Sequence, residues 1–528
     1  MSEAPVTYRE IIVPAARRAL CGAAGAWFLT LAVALALYGF TMAPDVVWQD
    51  AGYYQWEAAR LNLVRPGEAV RVHPLFLVVA HALGQTGVWN YARAASVASA
   101  IGTAIGVANV WLIVWLLVRR VGAATVAALA CMLAHTIWQL GAQPQTYGWS
   151  NAALSGMILL AVAYAQTGRL TWLVLMFLVG GLGLSVHLMS QIGLAVLGVW
   201  VVVRVIRRRT PTWVLPAGLV AWLVGGALFW YVAILEYQQT GDVGATLESA
   251  LLGGWGTAVF NVGGVPQMLS RSLLMLVLNF PTPVALLGLW GLWRSRRVLE
   301  ATPFAAVLGA ALVLYVLFAA RYRVPNQNHF FTPVYLLVAI YIGLGMAAGQ
   351  WSRRALAVAL AIVATATVVP AYWAMAEVAR AREFNLQPRG EMHRVPYRDV
   401  YAYYLLPWQH TQTGPRRFAE EAFQVLPEKA VLLPDSTTAP PLKCLHDVEG
   451  RRPDVLIVDP YDAKFDASVR PYWQSDANLL PALAAEGRRA FVASDQAGYV
   501  PKWVAAHARL EAVGPLFEVK PRASEGRE

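Results

Sequence analysis

Long apolar stretches recur between residues 20 and 375. A membrane-spanning helix needs roughly 20 apolar residues, and eleven stretches come close to that length. They cover 20–43, 95–118, 121–140, 148–167, 170–187, 188–206, 212–235, 272–293, 302–320, 330–349 and 355–375. This pattern predicts an α-helical polytopic membrane domain over residues 1–375.

One further apolar segment, 73–89, is short and is interrupted by His81 and Gly84. A short apolar helix of this kind can lie in the membrane interface instead of crossing the bilayer. We therefore interpret 73–89 as an interfacial or re-entrant helix that follows a first outer loop over residues 43–72.

The pattern changes in the last part of the chain. Short apolar runs end in turn residues at 430–433, 454–458 and 489–493. They alternate with candidate helices at 416–426, 442–449 and 478–486. Alternating strands and helices predict a small α/β layer with parallel strands. We expect a soluble α/β domain over residues 376–528.

Asp435, Asp459 and Asp495 follow the three predicted strands. Ligands bind at the carboxyl ends of the strands in such sheets, but aspartate is also a common helix-capping and turn residue. Of these two interpretations, capping is favoured.

The charged residues are distributed unevenly. Residues 1–375 hold twenty-two arginines, ten acids and no lysine, so they carry a net charge of +12, whereas residues 376–528 carry −1. The basic balance belongs to the membrane part and not to a soluble fold, which argues against nucleic-acid binding. The three cysteines form neither a disulfide framework nor a metal-type spacing.

The arginines also predict an orientation. If the N-terminus is cytoplasmic and the first apolar run is a retained helix, fifteen of the twenty-two arginines fall on the cytoplasmic side, as the positive-inside rule requires. Eleven crossings then bring the C-terminal domain to the outer face of a cell membrane.

Seven arginines oppose this rule because they fall in or near outer loops. They are Arg60, Arg65, Arg71, Arg93, Arg271, Arg321 and Arg323. Two interpretations stay open: their side chains extend to lipid headgroups, or some of them form a cationic pocket for a phosphate.

Candidate catalytic chemistry lies in the first outer loop. Asp50 and Glu57 are two of its four acids, and a carboxylate just above the bilayer, beside arginines, suits a base for an acceptor hydroxyl. The alternative, which composition favours, is that Asp50 caps an interfacial helix that starts near Tyr53. Three more polar clusters fall on the same predicted face: 143–147, His187 and 326–329.

Six short motifs have counterparts, in the same order, in a known protein family. They are Asp50-Ala51-Gly52, His73-Pro74-Leu75-Phe76, Trp138 with Gln145-Thr146-Tyr147, Gly181 to Leu188, Phe330 to Leu336, and Leu445 to Val458. Together they resemble the GT-C-type membrane glycosyltransferases, specifically the protein O-mannosyl-transferase-like family, whose first loop holds an Asp-x-Gly-Glu motif. The resemblance covers most of the chain.

The resemblance implies transfer of a sugar, mannose or a similar hexose, from a polyprenyl-phosphate donor. The acceptor would be a hydroxyl of a protein, glycan or lipid at the outer face, and Asp50 would be the catalytic base of an inverting displacement. The arginines implied to hold the donor phosphate are Arg321 and Arg323, helped by Arg60, Arg65 or Arg71. The side chains implied to line the substrate site are Tyr53, Glu57, His73, Gln145, Tyr147, His187, Asn326 and His329.

Three acids of the family pattern are neutral here, at Tyr53, Gln145 and Asn326. A carboxylate metal site is therefore not expected, and no cofactor is implied. Two other functions stay open. One is a transporter or flippase for a lipid-linked glycan, although the spans hold almost no acids and show no internal repeat. The other is a non-catalytic assembly protein, which would explain the lost acids.

Overall fold

Helices dominate the chain from Tyr8 to Ala381. The structure is a computed structural model, and it describes residues 8–253, 256, 265–300, 302–322, 324, 326–349, 354–387, 391–466, 468–474 and 479–522. The helices of this part are α1 (Tyr8–Thr41), α2 (Gln49–Arg60), α3 (Pro74–Gln85), α4 (Tyr91–Val118), α5 (Val121–Leu133), α6 (His135–Gly141), α7 (Tyr147–Thr167), α8 (Thr171–Leu184), α9 (Ser190–Ile206), α10 (Val214–Gly225), α11 (Ala227–Thr240), α12 (Val243–Leu251), α13 (Val265–Asn279), α14 (Ala285–Val298), α15 (Phe304–Arg321), α16 (Gln327–Phe330), α17 (Thr332–Ala348) and α18 (Arg354–Ala381). A 3₁₀ turn, Ala69–Arg71, precedes α3.

Several of these helices are suited to cross a membrane. Within the described ranges, four are long and apolar enough: Ala23–Thr41, Tyr91–Val118, Tyr147–Thr167 and Phe304–Arg321. Two bent pairs, α5 with α6 and α10 with α11, raise that number to six if each pair forms one span. Three other predicted spans, α8, α9 and α17, are shorter apolar helices. The multi-pass membrane protein is confirmed, while eleven crossings stay a prediction.

The predicted continuous span 272–293 is wrong, because the structure divides it into α13 and α14. The break contains Pro281 and Pro283. Proline cannot donate a helical hydrogen bond, and it disfavours helical geometry in the residue before it. The two prolines therefore end one helix and begin another inside a single apolar stretch.

Tyrosine side chains stabilise the irregular backbone inside the helix bundle. At the break between α5 and α6, Tyr38 donates to the carbonyl of Met132 over 3.1 Å and Tyr372 donates to the carbonyl of Leu133 over 2.8 Å. The Asn279 side chain accepts from the backbone N–H of Thr136 over 2.8 Å. Backbone polar groups at membrane depth need such partners, since lipid offers none.

The C-terminal part forms the expected α/β layer. Its helices are α19 (Val400–Leu405), α20 (Gly414–Val425), α21 (Ala439–Lys443), α22 (Pro460–Phe465), α23 (Pro471–Gln474), α24 (Leu479–Ala485) and α25 (Lys502–His507), and its strands are β1 (Val431–Leu433), β2 (Leu456–Ile457), β3 (Ala490–Val492), β4 (Ala508–Val513) and β5 (Leu516–Pro521). The strand order is β2-β1-β3-β5-β4. The predicted parallel pairing is confirmed for β1 with β2 and β3, but β4 and β5 add an antiparallel hairpin that was not predicted.

Small residues allow α14 and α17 to pack with their backbones in contact. A Cβ atom added to Gly291 would lie 1.8 Å from the carbonyl oxygen of Tyr341, and one added to Gly345 would lie 2.0 Å from that of Leu287. Close packing of this kind replaces the hydrophobic effect as the attraction between helices in lipid.

We predict that Gly291→Ala lowers the melting temperature of the purified protein. The added methyl group meets backbone, which cannot rotate away, and overpacking of this kind costs about 1–3 kcal/mol. The matched control is Gly198→Ala in α9, where an added Cβ has nothing within 4 Å. The control should melt at the same temperature as wild type or slightly above it, because alanine favours helices. Equal melting of both variants would contradict this packing.

Candidate functional site

Helix α2 carries the candidate base and is held at its start by buried aromatic packing. Its N-cap residue is Trp48, which is fully buried and packs against Phe418 of the C-terminal domain with ring centroids 5.5 Å apart. The helix begins at Gln49, whereas the sequence placed its start near Tyr53. Asp50 therefore lies in the first turn of the helix.

Asp50 does not cap the helix, so the capping interpretation is wrong. The N-cap is Trp48, and no side-chain cap hydrogen bond is made there. The Asp50 carboxylate instead accepts a hydrogen bond of 3.0 Å from the amide of Asn326 and lies 3.6 Å from the guanidinium of Arg71. Its side chain is 45% exposed. A cation and an amide donor both stabilise a carboxylate anion, and the exposure leaves the carboxylate accessible.

Arg71 is fixed by groups from two parts of the chain. It lies in the 3₁₀ turn, pairs with Glu68 over 2.8 Å, and stands 5.3 Å above the ring of Tyr461. Burial opposes its charge, but Asp50, Tyr461 and Glu68 outweigh burial and raise the pKa of Arg71 above its usual range. The guanidinium is therefore a permanent positive charge beside the candidate base.

A wall of histidine and tyrosine rings adjoins Asp50. His73 stacks on His187 with centroids 5.0 Å apart, and Tyr147 lies 5.2 Å from His187 and 5.3 Å from His329. His73 Nδ1 lies 2.6 Å from the carbonyl oxygen of Val186. Burial and the neighbouring His187 lower the pKa of His73. This histidine is neutral at physiological pH and suits a ring-stacking or hydrogen-bonding role.

The tyrosine Tyr54 also belongs to this wall. Its ring meets those of His73 and Phe76 at centroid distances of 5.7 and 5.6 Å. Burial, followed by the charge of Asp50, raises the pKa of Tyr54 to about 12. Sequence reasoning missed this residue, although it stands one helical turn after Asp50 and such residues share a helix face.

The segment from the end of α15 through α16 supplies the other predicted residues. Asn326 is the N-cap of α16 and contacts Asp50, and His329 is a buried side chain within the same short helix. Arg321 is the last residue of α15 and is half-buried. Arg323 lies outside the described residues.

Four predicted site residues make their closest contacts with groups other than Asp50 and its neighbours. Glu57 forms a buried ion pair with Arg65. Arg60 pairs with Asp447 of the C-terminal domain over 2.9 Å. The remaining two are Tyr53, which donates to Asp459 over 2.6 Å, and Gln145, whose backbone exchanges hydrogen bonds with the Ser99 hydroxyl.

The C-terminal domain covers α2 from above. The backbone N–H of Gln49 donates to the carbonyl of Thr437 over 3.2 Å, and its side chain accepts from Tyr403 over 3.2 Å. Tyr461 donates to Glu68 over 2.7 Å. The domain thereby supplies Tyr403 and Tyr461 to the surroundings of Asp50 and Arg71, and no sequence signal near the first loop could have identified either tyrosine.

Of the three aspartates that follow the strands, Asp459 is a helix cap, as favoured from the sequence, whereas Asp435 holds a turn and Asp495 lies 3.5 Å from the guanidinium of Arg394. Asp435 accepts from the backbone N–H of Thr437 over 2.7 Å. Asp459 caps α22 in a capping box and also receives Tyr53. In the part of the chain that the structure describes, no three His, Cys, Asp or Glu side chains are grouped closely enough to hold a metal ion.

Comparison with known proteins identifies the fold. No model of a known protein family matches the sequence, and no curated protein sequence matches it significantly. The crystal structure of apo ArnT from Cupriavidus metallidurans is similar with a TM-score of 0.57 and 17% identity, covering 94% of this chain and 98% of that one. ArnT from the same organism bound to undecaprenyl phosphate gives a TM-score of 0.55 and 16% identity, covering 95% and 99%.

These similarities confirm the predicted fold class, a GT-C-like helical membrane domain with a C-terminal α/β domain. At these identities the similarity shows the fold alone, so the O-mannosyl-transferase-like family stays a prediction.

We predict that Tyr53→Phe loosens the contact between α2 and the C-terminal domain. Asp459 is fully buried and loses one of its donors, a loss that costs about 1–3 kcal/mol. Hydrogen exchange of residues 49–60 should become faster, and the melting temperature should fall. The control, Tyr231→Phe, removes a hydroxyl from a half-exposed ring on α11 and should change neither quantity. Unchanged exchange in Tyr53→Phe would show that this bond does not hold the domain.

Proposed function

We propose that the chain is a GT-C-type glycosyltransferase that transfers a sugar from a polyprenyl-phosphate donor to an acceptor hydroxyl. The observation that carries this proposal is the Asp50 carboxylate, accessible and held between Arg71 and Asn326. The fold supports it, because it is shared with ArnT, one of whose crystal structures is bound to undecaprenyl phosphate.

In the proposed reaction, Asp50 accepts the proton of the acceptor hydroxyl. The hydroxyl oxygen then attacks the anomeric carbon of the donor sugar, and the bond from that carbon to the phosphate oxygen breaks. A single displacement inverts the configuration, and the polyprenyl phosphate leaves as an anion. A general base held in position typically contributes about 10²–10⁴-fold to such a step.

The leaving phosphate needs positive charge, and Arg71 is the arginine with the strongest support. It is half-buried, permanently charged and directly beside Asp50. Preorganised cations aimed at developing negative charge stabilise a transition state without reorganisation. We propose Arg321, the last residue of α15, as the second phosphate ligand, together with Arg323, two residues later in the sequence.

The remaining predicted residues fall into two groups with different proposed roles. The rings of His73, His187, Tyr147 and His329 contact one another and form the proposed sugar-binding wall. The charge of Asp50 acts on two of them, Tyr147 and His329. We propose positioning roles for Tyr53, Glu57 and Arg60 on α2, and for Gln145, whose backbone is bonded to Ser99 of α4.

The finer identity rests on the motif resemblance. It favours mannose or a similar hexose, an O-mannosyl-transferase-like enzyme, and a protein, glycan or lipid acceptor. The arginine distribution favours a site on the outer face, with a cytoplasmic N-terminus and an extracytoplasmic C-terminal domain. A flippase or a non-catalytic assembly protein remains the alternative, and neither would need an exposed carboxylate beside a fixed guanidinium.

We predict that Asp50→Asn lowers the rate of sugar transfer by at least about 10²-fold, because the amide cannot accept the proton. The measurement uses purified protein and a radiolabelled polyprenyl-phosphate hexose. The matched control is Glu248→Gln, the same neutralisation at an exposed position on α12, which should retain full activity. Transfer that persists unchanged in Asp50→Asn would rule out Asp50 as the base.

A second prediction distinguishes Arg71 from Arg60, because the sequence favours both as ligands of the donor phosphate. Arg71→Gln should lower kcat/KM for the donor by about 10²-fold, since it removes a charged partner of the leaving phosphate. Arg60→Gln should change kcat/KM by less than about threefold, because Arg60 forms a half-exposed ion pair with Asp447. Equal losses in the two variants would mean that domain contact, and not phosphate binding, explains the effect.

A further inference from the structure

A cavity of about 440 Å³ opens at the end of the helix bundle opposite Asp50. Three arginines, Arg120, Arg294 and Arg297, line it, and the rest of its lining is aliphatic. Helix α17 begins near the Asp50 site, just after His329, and reaches this cavity with Ala347. Its 17 residues separate the two sites by about 25 Å.

The cavity carries uncompensated positive charge. No acidic side chain is among its described lining residues. The three arginines come from two places in the sequence, the turn before α5 and the last turns of α14. The guanidinium charges repel each other. The convergence of three arginines on one cavity with an otherwise aliphatic lining therefore indicates that an anion binds between them.

Two of the guanidinium groups are held in position. Arg294 lies 4.8 Å from the ring centroid of Trp290 and 4.5 Å from that of Trp293. Its Nε is buried and has no hydrogen-bond partner among the described residues. Arg120 donates to the carbonyl oxygen of Ala347 over 2.7 Å, at the end of α17. Such fixed donors lose little entropy when they bind a phosphate.

The surroundings of the cavity favour a lipid over a soluble ion. Leu286, Leu289 and Trp293 of α14 are 65%, 68% and 67% exposed. Exposed apolar side chains on a helix of a membrane protein face acyl chains, and tryptophan concentrates at headgroup depth. A lipid chain can therefore lie along α14 while its headgroup reaches the arginines.

We propose that this cavity binds the phosphate group of an anionic membrane lipid on the face opposite the Asp50 site. Under the predicted orientation this is the cytoplasmic face, where anionic lipids meet basic pockets between membrane helices. The positive-inside rule explains why arginines are present there. It does not explain their convergence on one cavity or the buried, unpartnered Nε of Arg294.

The test measures binding of phosphatidylglycerol to the purified full chain in detergent, with phosphatidylcholine and inorganic phosphate as comparison ligands. Wild type should bind phosphatidylglycerol more tightly than either. Arg294→Gln/Arg297→Gln should weaken that binding by about fivefold for each arginine lost. The matched control, Arg208→Gln/Arg296→Gln, removes two charges from the same predicted face outside the cavity lining and should leave the affinity unchanged.

Three results would overturn the proposal: equal loss in the control, phosphatidylcholine binding as tightly as phosphatidylglycerol, or inorganic phosphate binding as tightly as the lipid. The last result would identify an anion site that is not specific for lipid. If the double variant does not fold, Arg297→Gln alone, at an exposed side chain, should still weaken binding about fivefold. The Asp50 site is not altered by these variants, so sugar transfer measured in parallel keeps the two proposals distinguishable.

Discussion

The close contact between Gly52 and Pro440 fixes how near helix α2 lies to the C-terminal domain. A Cβ atom at position 52 would lie 2.5 Å from the Cβ of Pro440 and 2.2 Å from the carbonyl oxygen of Val47. Helix α2 is thus pressed between the first loop and the C-terminal domain. Asp50 lies within this pressed segment, between the Gln49 backbone contact to Thr437 and Gly52. The direction of the carboxylate therefore depends on the docking of a domain that begins more than three hundred residues later.

The sequence predicted those features that follow from local pattern. Alternating short apolar runs identified β1, β2 and β3 and their parallel pairing, because buried strands with turn residues at their ends are a local signal. The β4–β5 hairpin was missed because the edge strand β4 has a single buried residue, Ala508, and so lacks the continuous apolar run that marked the first three strands. The division of 272–293 was visible as Pro281 and Pro283 but was outweighed by overall hydropathy, which does not record where backbone hydrogen bonds are lost.

The candidate site was predictable in part, for a similar reason. Asp50 and Asn326 stood out as polar residues beside the membrane, and the structure places them 3.0 Å apart. The sequence could not show which of the first-loop arginines lies beside Asp50. Arg71 does so, whereas Arg60 pairs with Asp447 of the C-terminal domain, and both contacts depend on long-range folding. Tyr461 could not be found at all, because its proximity to Arg71 arises from the folding of the C-terminal domain over the first loop.

The replaced acids change the electrostatics of the site in a consistent direction. An acid at 326 would place a second negative charge against Asp50, whereas the Asn326 amide donates a hydrogen bond to it. At position 53, the tyrosine hydroxyl meets Asp459, so a carboxylate is still present there but belongs to the other domain. The excess of arginine over acid in residues 1–375 then has a physical explanation at both ends of the bundle. On our two proposals, each end presents fixed guanidinium groups to a phosphate, that of the sugar donor on one face and that of a membrane lipid on the other.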